Sequence, residues 1–531
     1  MKSFLQQNWG FSAYCAMLLI PSIYISGDGF AKALYPLIFF AVMIYHYRYF
    51  YFISLPFYCL CPFILYYEYI YSTPTDISVW LTILGSSSSE AYAYLEHVNW
   101  PILITLILIY LVLLPVFFKN ISNKPFNMPF WLRILAFCLI LSPTLRFAKA
   151  NDSEQGYLDV YRHYKQSYPL NLILGFQAAQ LEVEHVRSMV ASQNKIHCSS
   201  VSNAPQTIVM VIGESARRDR LGLFGYTKNP TTPFLEKRKN NLWLFDNMVS
   251  GSFMTSRSVP SILTGSLNTQ AELKPSFINA FNASGYKTYW YSSQSKFGEF
   301  DSLVSAYASA AQEKNFSTQH SYSASLATHY DEELLASLDH ALADQKNQQK
   351  LIVLHLYGSH AEFSKRYPAS FAKFENDYDN TILYTDYILD QVIQKLEKSK
   401  YPASMLYTSD HGLNLGECPE NPSAHLDIKS NYDVPMIMWA SEAWKIKYPE
   451  YAQHLSKNLH QPLSSANILP TLLEMAGSSC PDIQPKQSMF SAHFKPETRD
   501  VITFEDTVNY DQAENDEECH LTANHTAKIE S

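Results

Sequence analysis

The chain has 531 residues, is 47% hydrophobic and 14% aromatic, and carries 40 basic against 49 acidic side chains for a formal net charge of -9. At roughly 100–200 residues per domain this exceeds one domain, and the Lys/Arg deficit argues against a nucleic-acid binder that works by neutralising phosphates. Residues 1–148 are crowded with Leu, Ile, Phe and Tyr while the remainder has the charge density of a soluble protein, so a single soluble globule is excluded.

Five apolar stretches, approximately 11–26, 33–47, 49–67, 101–118 and 130–147, approach the roughly 20 residues that a helix needs to cross a bilayer. Lys2, Arg48 and the group Lys119, Lys124 and Arg133 fall on one side if all five are spans. The positive-inside rule then places the amino terminus inside, and the loop after span three and everything after Lys149 outside. Tyr45, Tyr47, Tyr49, Tyr51, Trp100 and Trp131 cluster near the expected interfaces as an aromatic belt. Ala31-Lys32-Ala33 resembles a signal-peptide cleavage site, but four further apolar stretches argue against secretion as a soluble protein. Cys15, Cys59, Cys61 and Cys138 sit in or beside these spans and read as small hydrophobes.

Residues 150–204 are expected to bridge. Apolar positions at helical spacing over 171–190 predict a helix near the membrane surface. From residue 205 to 531 the pattern becomes that of an external α/β domain. Runs at 207–212, 288–291, 351–356, 404–407 and 435–439 read as strands, and 379–397 and 465–475 as helices. This alternation predicts a central, mostly parallel sheet with helices on both faces. The tail with Glu514, Asp516, Glu517 and Glu518 reads as a solvated surface segment. Cys198, Cys418, Cys480 and Cys519 allow three pairings, and an oxidising compartment would permit two disulfides.

In open α/β folds, sites gather at the carboxyl ends of strands. Here one strand runs into Gly213-Glu214-Ser215, another into Gly358-Ser359-His360 and another into Ser409-Asp410-His411-Gly412. Glu214, Asp410 and His411 offer oxygen and nitrogen ligands without a thiolate, a set that suits catalytic Zn²⁺ and also Mn²⁺. Asp-His alone is a weak signal. His355, inside an apolar strand, reads as a hydrogen-bonded core histidine. The hydroxyl-rich segment from Ser252 to Ser261, including Thr255, Ser256 and Ser258, leads into a helix. Its backbone N–H groups there favour an incoming phosphate, although any one of these hydroxyls also suits a plain helix cap.

Taken together, Gly213-Glu214-Ser215, Thr255 three residues before Ser258-Val259-Pro260, Gly358-Ser359-His360 and Ser409-Asp410-His411-Gly412 resemble the phosphoethanolamine transferases of the Gram-negative inner membrane. These are members of the alkaline phosphatase/sulfatase superfamily that decorate lipopolysaccharide. The resemblance covers nearly the whole chain. It implies five spans, a bridging region, and a catalytic α/β domain in the periplasm. It further implies zinc held by Glu214, Thr255, Asp410 and His411, with Thr255 as the nucleophile that carries phosphoethanolamine. His360 and His425 match histidines that contact substrate phosphate or handle protons. Lys296 matches a substrate-binding lysine, and Glu90, in Ser89-Glu90-Ala91, is a candidate for the ethanolamine ammonium. The donor so implied is phosphatidylethanolamine and the acceptor a lipopolysaccharide hydroxyl.

The sequence departs from the family's pattern in three places. Leu413-Asn414 stands where Glu-Ser often follows Asp-His-Gly, Asp433 stands where His often precedes Val-Pro, and the cysteines flanking the nucleophile in the lipid A enzymes are absent. Arg217-Arg218-Asp219-Arg220 and Gly225-Tyr226 resemble the core-heptose branch more closely; the arginines read equally as lipid-headgroup contacts or a solvated face. A phosphoglycerol transferase or phosphodiesterase on the same scaffold is the nearest alternative. A sulfatase would need Arg where Ile262 stands, and a non-enzymatic membrane sensor would have lost metal ligands.

Overall fold

The computed structural model describes residues 9–25, 47–71, 79–80, 98–119, 130, 134, 168–192, 196–200, 204–267, 273–294, 302–316, 330–418, 426–481, 483, 487–503, 506–516 and 519–523. They divide into two compact units, one made of Met1–His185 and one beginning at Val186.

The first unit contains helices α1 (Trp9–Ile25), α2 (Tyr47–Tyr71) and α3 (Trp100–Lys119), and most of α4 (Leu170–Ser192). Within α2 and α3, Tyr49–Tyr69 and Trp100–Phe118 are long and apolar enough to cross a membrane, while Trp9–Tyr24 is a shorter apolar helix. The expected spans at 33–47 and 130–147 lie almost wholly outside the described residues. Tyrosines join the helices. The Tyr14 hydroxyl meets Ser54 Oγ at 2.9 Å, and those of Tyr51, Tyr58 and Tyr110 donate to the carbonyls of Leu114, Tyr110 and Met17 at 3.0, 3.1 and 3.1 Å. In an apolar bundle each hydroxyl must find such an acceptor inside the protein. Tyr51 is therefore not a belt residue: it is fully buried and stacks on Tyr14 at 4.3 Å, whereas Tyr49 is 61% exposed. Leu108, Leu111 and Val112 of α3 face outward.

The second unit is built on a seven-stranded mixed sheet. Its strands are β1 (Gln206–Gly213), β2 (Leu242–Phe245), β3 (Lys287–Ser292), β4 (Glu313–Phe316), β5 (Gln349–His355), β6 (Ala403–Ser409) and β7 (Met436–Ala440), in the order β2-β7-β6-β1-β5-β3-β4. All pairs are parallel except those made by β7, which is antiparallel to both neighbours. The period-2 alternation of β1 explains the layers. Ile208, Met210 and Ile212 face a core with Val259, Ile262 and Leu263 of α5 (Thr255–Thr264), Phe277 and Phe281 of α6 (Phe277–Ala283), and Leu469 and Leu472 of α9 (Ile468–Ala476). Val209 and Val211 face the other core, with Leu334 and Leu338 of α7 (Glu333–Ala343) and Ile388, Leu389 and Val392 of α8 (Asp377–Glu397).

All five expected strands occur, with shifted ends. Two more, β2 and β4, are short sheet edges: Leu-Trp-Leu-Phe does not alternate, and Glu-Lys-Asn-Phe is mostly polar. The expected helix at 465–475 begins as a 3₁₀ turn, Ser465–Asn467, before α9. The acidic tail is not merely solvated. Asp500–Ile502 pairs with Thr507–Asn509 and Ala513–Asn515 with Leu521–Ala523, burying Val501, Ala513 and Leu521 against Val249, Phe253 and Tyr432. Glu514 and Asp516 remain exposed. Of the three possible pairings the structure has Cys198–Cys480 and Cys418–Cys519.

Candidate active site

The adjacency of β1 and β6 brings the first candidate ligands together. Gly213 pairs with Ser409, the Asp410 N–H donates to the Gly213 carbonyl at 3.0 Å, and the chain leaves both strands at one end. Glu214, Asp410 and His411 follow, all 1% exposed or less. Their ligand atoms lie within 4.8 Å of one another. Thr255 opens α5 and is half-buried. Its Oγ1 is 3.1 Å from Glu214 Oε2 and 3.1 Å from His411 Nε2. Its helix start fits the sequence: Met254 is extended, its carbonyl takes the Arg257 and Ser258 N–H groups, and Gly265 closes the helix in a left-handed turn.

Electrostatics make the set suited to a cation. The Gly412 carbonyl can only accept, so the 2.7 Å contact makes His411 Nδ1 a donor and turns Nε2 toward Thr255 and the carboxylates. Nε2 lies 3.4 Å from Glu214 Oε1 and 3.4 Å from Asp410 Oδ2. Asp410 Oδ1 accepts the N–H groups of Ser215 and His411 at 3.0 and 2.7 Å. Its Oδ2 is buried and accepts no hydrogen bond of ordinary geometry among the described residues. Burial first, and the Glu214 carboxylate second, push the Asp410 carboxyl well above the usual carboxylate range. Two buried carboxylates, an imidazole nitrogen and a hydroxyl are a donor set that fits zinc.

His360 lies in the turn after β5, half-buried, with its ring 5.2 Å from that of Tyr357. It is not among the three residues clustered as a candidate metal site. His425, Lys296 and Glu90 lie outside the described residues. His355 is a core histidine, as its strand pattern implies: it is 2% exposed, and its Nδ1 meets Ser292 Oγ at 3.1 Å.

Each of the arginines after β1 is paired with a carboxylate within the protein. Arg217 pairs with Asp219 and Glu417 at 2.6 Å each, Arg218 with Asp433 at 3.4 Å and Arg220 with Asp379 at 3.5 Å. One of these partners, Asp433, stands where the chain departs from the family's pattern. Sequence reasoning missed Gln294, whose Nε2 donates to Glu214 Oε2 at 3.1 Å; a lone Gln after a strand gives no signal. Ser215, quoted only as part of a strand-end motif, stands at φ 58, and its N–H donates to Asp410 Oδ1 at 3.0 Å.

A family model described as Sulfatase matches residues 206–478. Phosphoethanolamine transferase EptC of Escherichia coli (strain K12) is 24% identical over 477 residues, covering 82% of this chain and 80% of that protein. The crystal structure of the C-terminal periplasmic domain of Escherichia coli EptC in complex with Zn aligns with a TM-score of 0.54 at 26% identity, over 60% of this chain and 96% of that one. An integral membrane protein, lipooligosaccharide phosphoethanolamine transferase A of Neisseria meningitidis, aligns with a TM-score of 0.50 at 19% identity, over 89% of this chain and 98% of that one. This last likeness concerns the fold.

Proposed function

Since the chain belongs to the sulfatase family and is a transferase enzyme, we propose that it moves phosphoethanolamine from phosphatidylethanolamine to a hydroxyl of a lipopolysaccharide, on a core sugar or lipid A. The observation that carries this reading is the placement of Thr255 Oγ1 at 3.1 Å from both Glu214 and His411, next to the buried Asp410 carboxylate. It is supported by a likeness to EptC that runs along most of both chains. We place the work in a Gram-negative inner membrane with the second unit in the periplasm. The two disulfides suit that compartment.

Glu214, Thr255, Asp410 and His411 would hold the zinc, which when bound supplies Lewis acidity that lowers the pKa of a hydroxyl and offsets charge on phosphoryl oxygens. The Thr255 hydroxyl gives its proton to solvent water, and its oxygen attacks the donor phosphorus in line. The P–O bond to diacylglycerol breaks, and the departing oxygen takes a proton from His360 or His425. Phosphoethanolamine now rests on Thr255 as a phosphodiester. The acceptor hydroxyl gives its proton to the same histidine pair and attacks the same phosphorus, and the Thr255 oxygen leaves and takes a proton back from solvent. Glu90 takes the ethanolamine ammonium and Lys296 a phosphate oxygen. A sulfatase reaction is disfavoured because Ile262 stands where the formylglycine motif needs Arg.

Two measurements test this. Mass spectrometry of lipopolysaccharide from cells with and without the gene should show a gain of one phosphoethanolamine; no gain on any envelope glycan rejects the transfer. Wild-type protein incubated with donor lipid alone should carry phosphoethanolamine on the peptide containing Thr255. An adduct on Ser252, Ser256 or Ser258 instead rejects the choice of nucleophile.

A further inference from the structure

Asp331 has no part in the chemistry above, yet it is 2% exposed and binds the turn that carries His360. Its Oδ1 accepts the Ser293 hydroxyl at 2.5 Å and the Tyr357 N–H at 2.7 Å, and its Oδ2 accepts the Gly358 N–H at 2.9 Å. Burial raises its pKa, and these three donors oppose that rise by favouring the charged form. Each donor belongs to a segment that touches Glu214.

Tyr357 and Gly358 begin the turn that carries His360. Gly358 sits at φ +50 against Glu214, where an added Cβ would fall 2.8 Å from the Glu214 carbonyl oxygen and 3.0 Å from its nitrogen. The next residue, Ser359, donates its N–H to the Glu214 carbonyl at 2.9 Å. On the other side, Ser293 leads into Gln294, whose Nε2 donates to Glu214 Oε2 at 3.1 Å and to the Leu356 carbonyl at 2.9 Å. Arg366 braces the same turn: it stacks over the Tyr357 ring at 4.0 Å and donates from Nε to the Ala361 carbonyl at 3.2 Å. The two segments that grip Glu214 from β3 and β5 are thus tied together by one carboxylate. Only a carboxylate offers acceptor capacity on both oxygens for three converging donors.

We propose that Asp331 is a positioning residue of the metal centre, holding Glu214 and the His360 turn in register by gathering the Ser293 hydroxyl and the Tyr357 and Gly358 amides. This rests on the zinc-transferase reading given above. Outer groups that orient ligands typically change metal affinity or activity by about 10–100-fold when removed. A carboxylate that served stability alone would not move either quantity.

The test uses the purified full-length chain and reads zinc retention against a chelator series, kcat, and KM for phosphatidylethanolamine. Asp331→Asn keeps the shape but turns an NH₂ toward a backbone N–H. It should release zinc at roughly tenfold lower chelator and lose at least about tenfold in kcat, with KM unchanged. The control is Asp386→Asn. Asp386 is also 2% exposed and likewise accepts two successive amides, Phe234 and Leu235 at 2.7 and 3.1 Å, neither belonging to the centre. It should lose thermal stability while zinc retention and kcat stay within about twofold of wild type. An Asp331→Asn protein that matches the control in both readouts overturns the proposal. Should Asp331→Asn fail to fold, Ser293→Ala decides, since it deletes one donor and should shift both readouts in the same direction by a few-fold; wild-type behaviour there overturns the proposal equally. A wild-type chain that holds no zinc rejects the metal-centre reading and this proposal together. A chain that holds zinc but transfers nothing rejects the transfer reading alone, and the zinc series still decides Asp331.

Discussion

Thr255 stands at the first position of α5, half-buried, with its Oγ1 between Glu214 and His411. Its replacement by Ala removes a hydroxyl and little volume, so we expect Thr255→Ala to abolish transfer while changing stability by less than about 1 kcal/mol. Near-normal turnover of that variant would reject the covalent route, and Thr255→Ser should keep part of the activity because the hydroxyl remains. His355 gives a prediction of another kind. Burial pushes its pKa down to about 4. The unfolded chain therefore takes up a proton near pH 6.5 while the folded chain refuses it until about pH 4. Stability that is full above pH 6.5 is lost as pH falls through that window, by about 3 kcal/mol in all. Thermal unfolding midpoints should show the wild-type chain losing more between pH 6.5 and 4 than His355→Gln; parallel pH profiles for the two would refute the assignment.

At the scale of elements, the segment after His411 is tethered from a distance. Cys418 is joined to Cys519 in the C-terminal hairpins, across a sequence separation of 101 residues. Closing a loop of that size restricts the unfolded chain, and a chain-entropy account puts the stabilisation at roughly 2–5 kcal/mol. The double substitution Cys418→Ser with Cys519→Ser should lower the thermal midpoint accordingly. An unchanged midpoint would mean that the hairpins hold without the bridge, through the burial of Val501, Ala513 and Leu521 alone. Gly358 is a second element-level constraint, because its turn has a positive φ and no space toward Glu214. Gly358→Ala should cost about 1–3 kcal/mol and weaken zinc retention. A variant with wild-type retention would show that the turn yields without disturbing Glu214. Both devices escaped sequence reasoning for a physical reason: four cysteines permit three pairings, and a Gly-Ser-His turn does not say which backbone it will press against.

At the scale of the molecule, the first unit carries apolar helices joined through tyrosine hydroxyls, and the second a mixed sheet with a buried donor set. An enzyme with a lipid donor and membrane-crossing helices samples substrate by surface density, not bulk concentration. Reconstituted in vesicles, the full chain should transfer phosphoethanolamine at a rate set by the mole fraction of phosphatidylethanolamine. Diluting those vesicles at fixed composition should leave the rate per enzyme unchanged, and a rate that falls with dilution would count against a membrane-resident donor. Period-2 and helical alternation and apolar run length made the apolar helices and the five central strands legible in the sequence, and the strand-end motifs marked Glu214, Asp410 and His411 as candidate ligands, because each follows from patterns a few residues long; Thr255 was singled out only by the family resemblance, since its spacing alone suits a helix cap. Which strands are neighbours is a matter of long-range packing. Only the folded sheet, with β6 beside β1, brings Asp410 to Glu214, pairs the arginines that the sequence left ambiguous, buries Tyr51 instead of exposing it, and binds Asp331 to the turn that carries His360, since each of these depends on contacts between segments that local pattern does not relate.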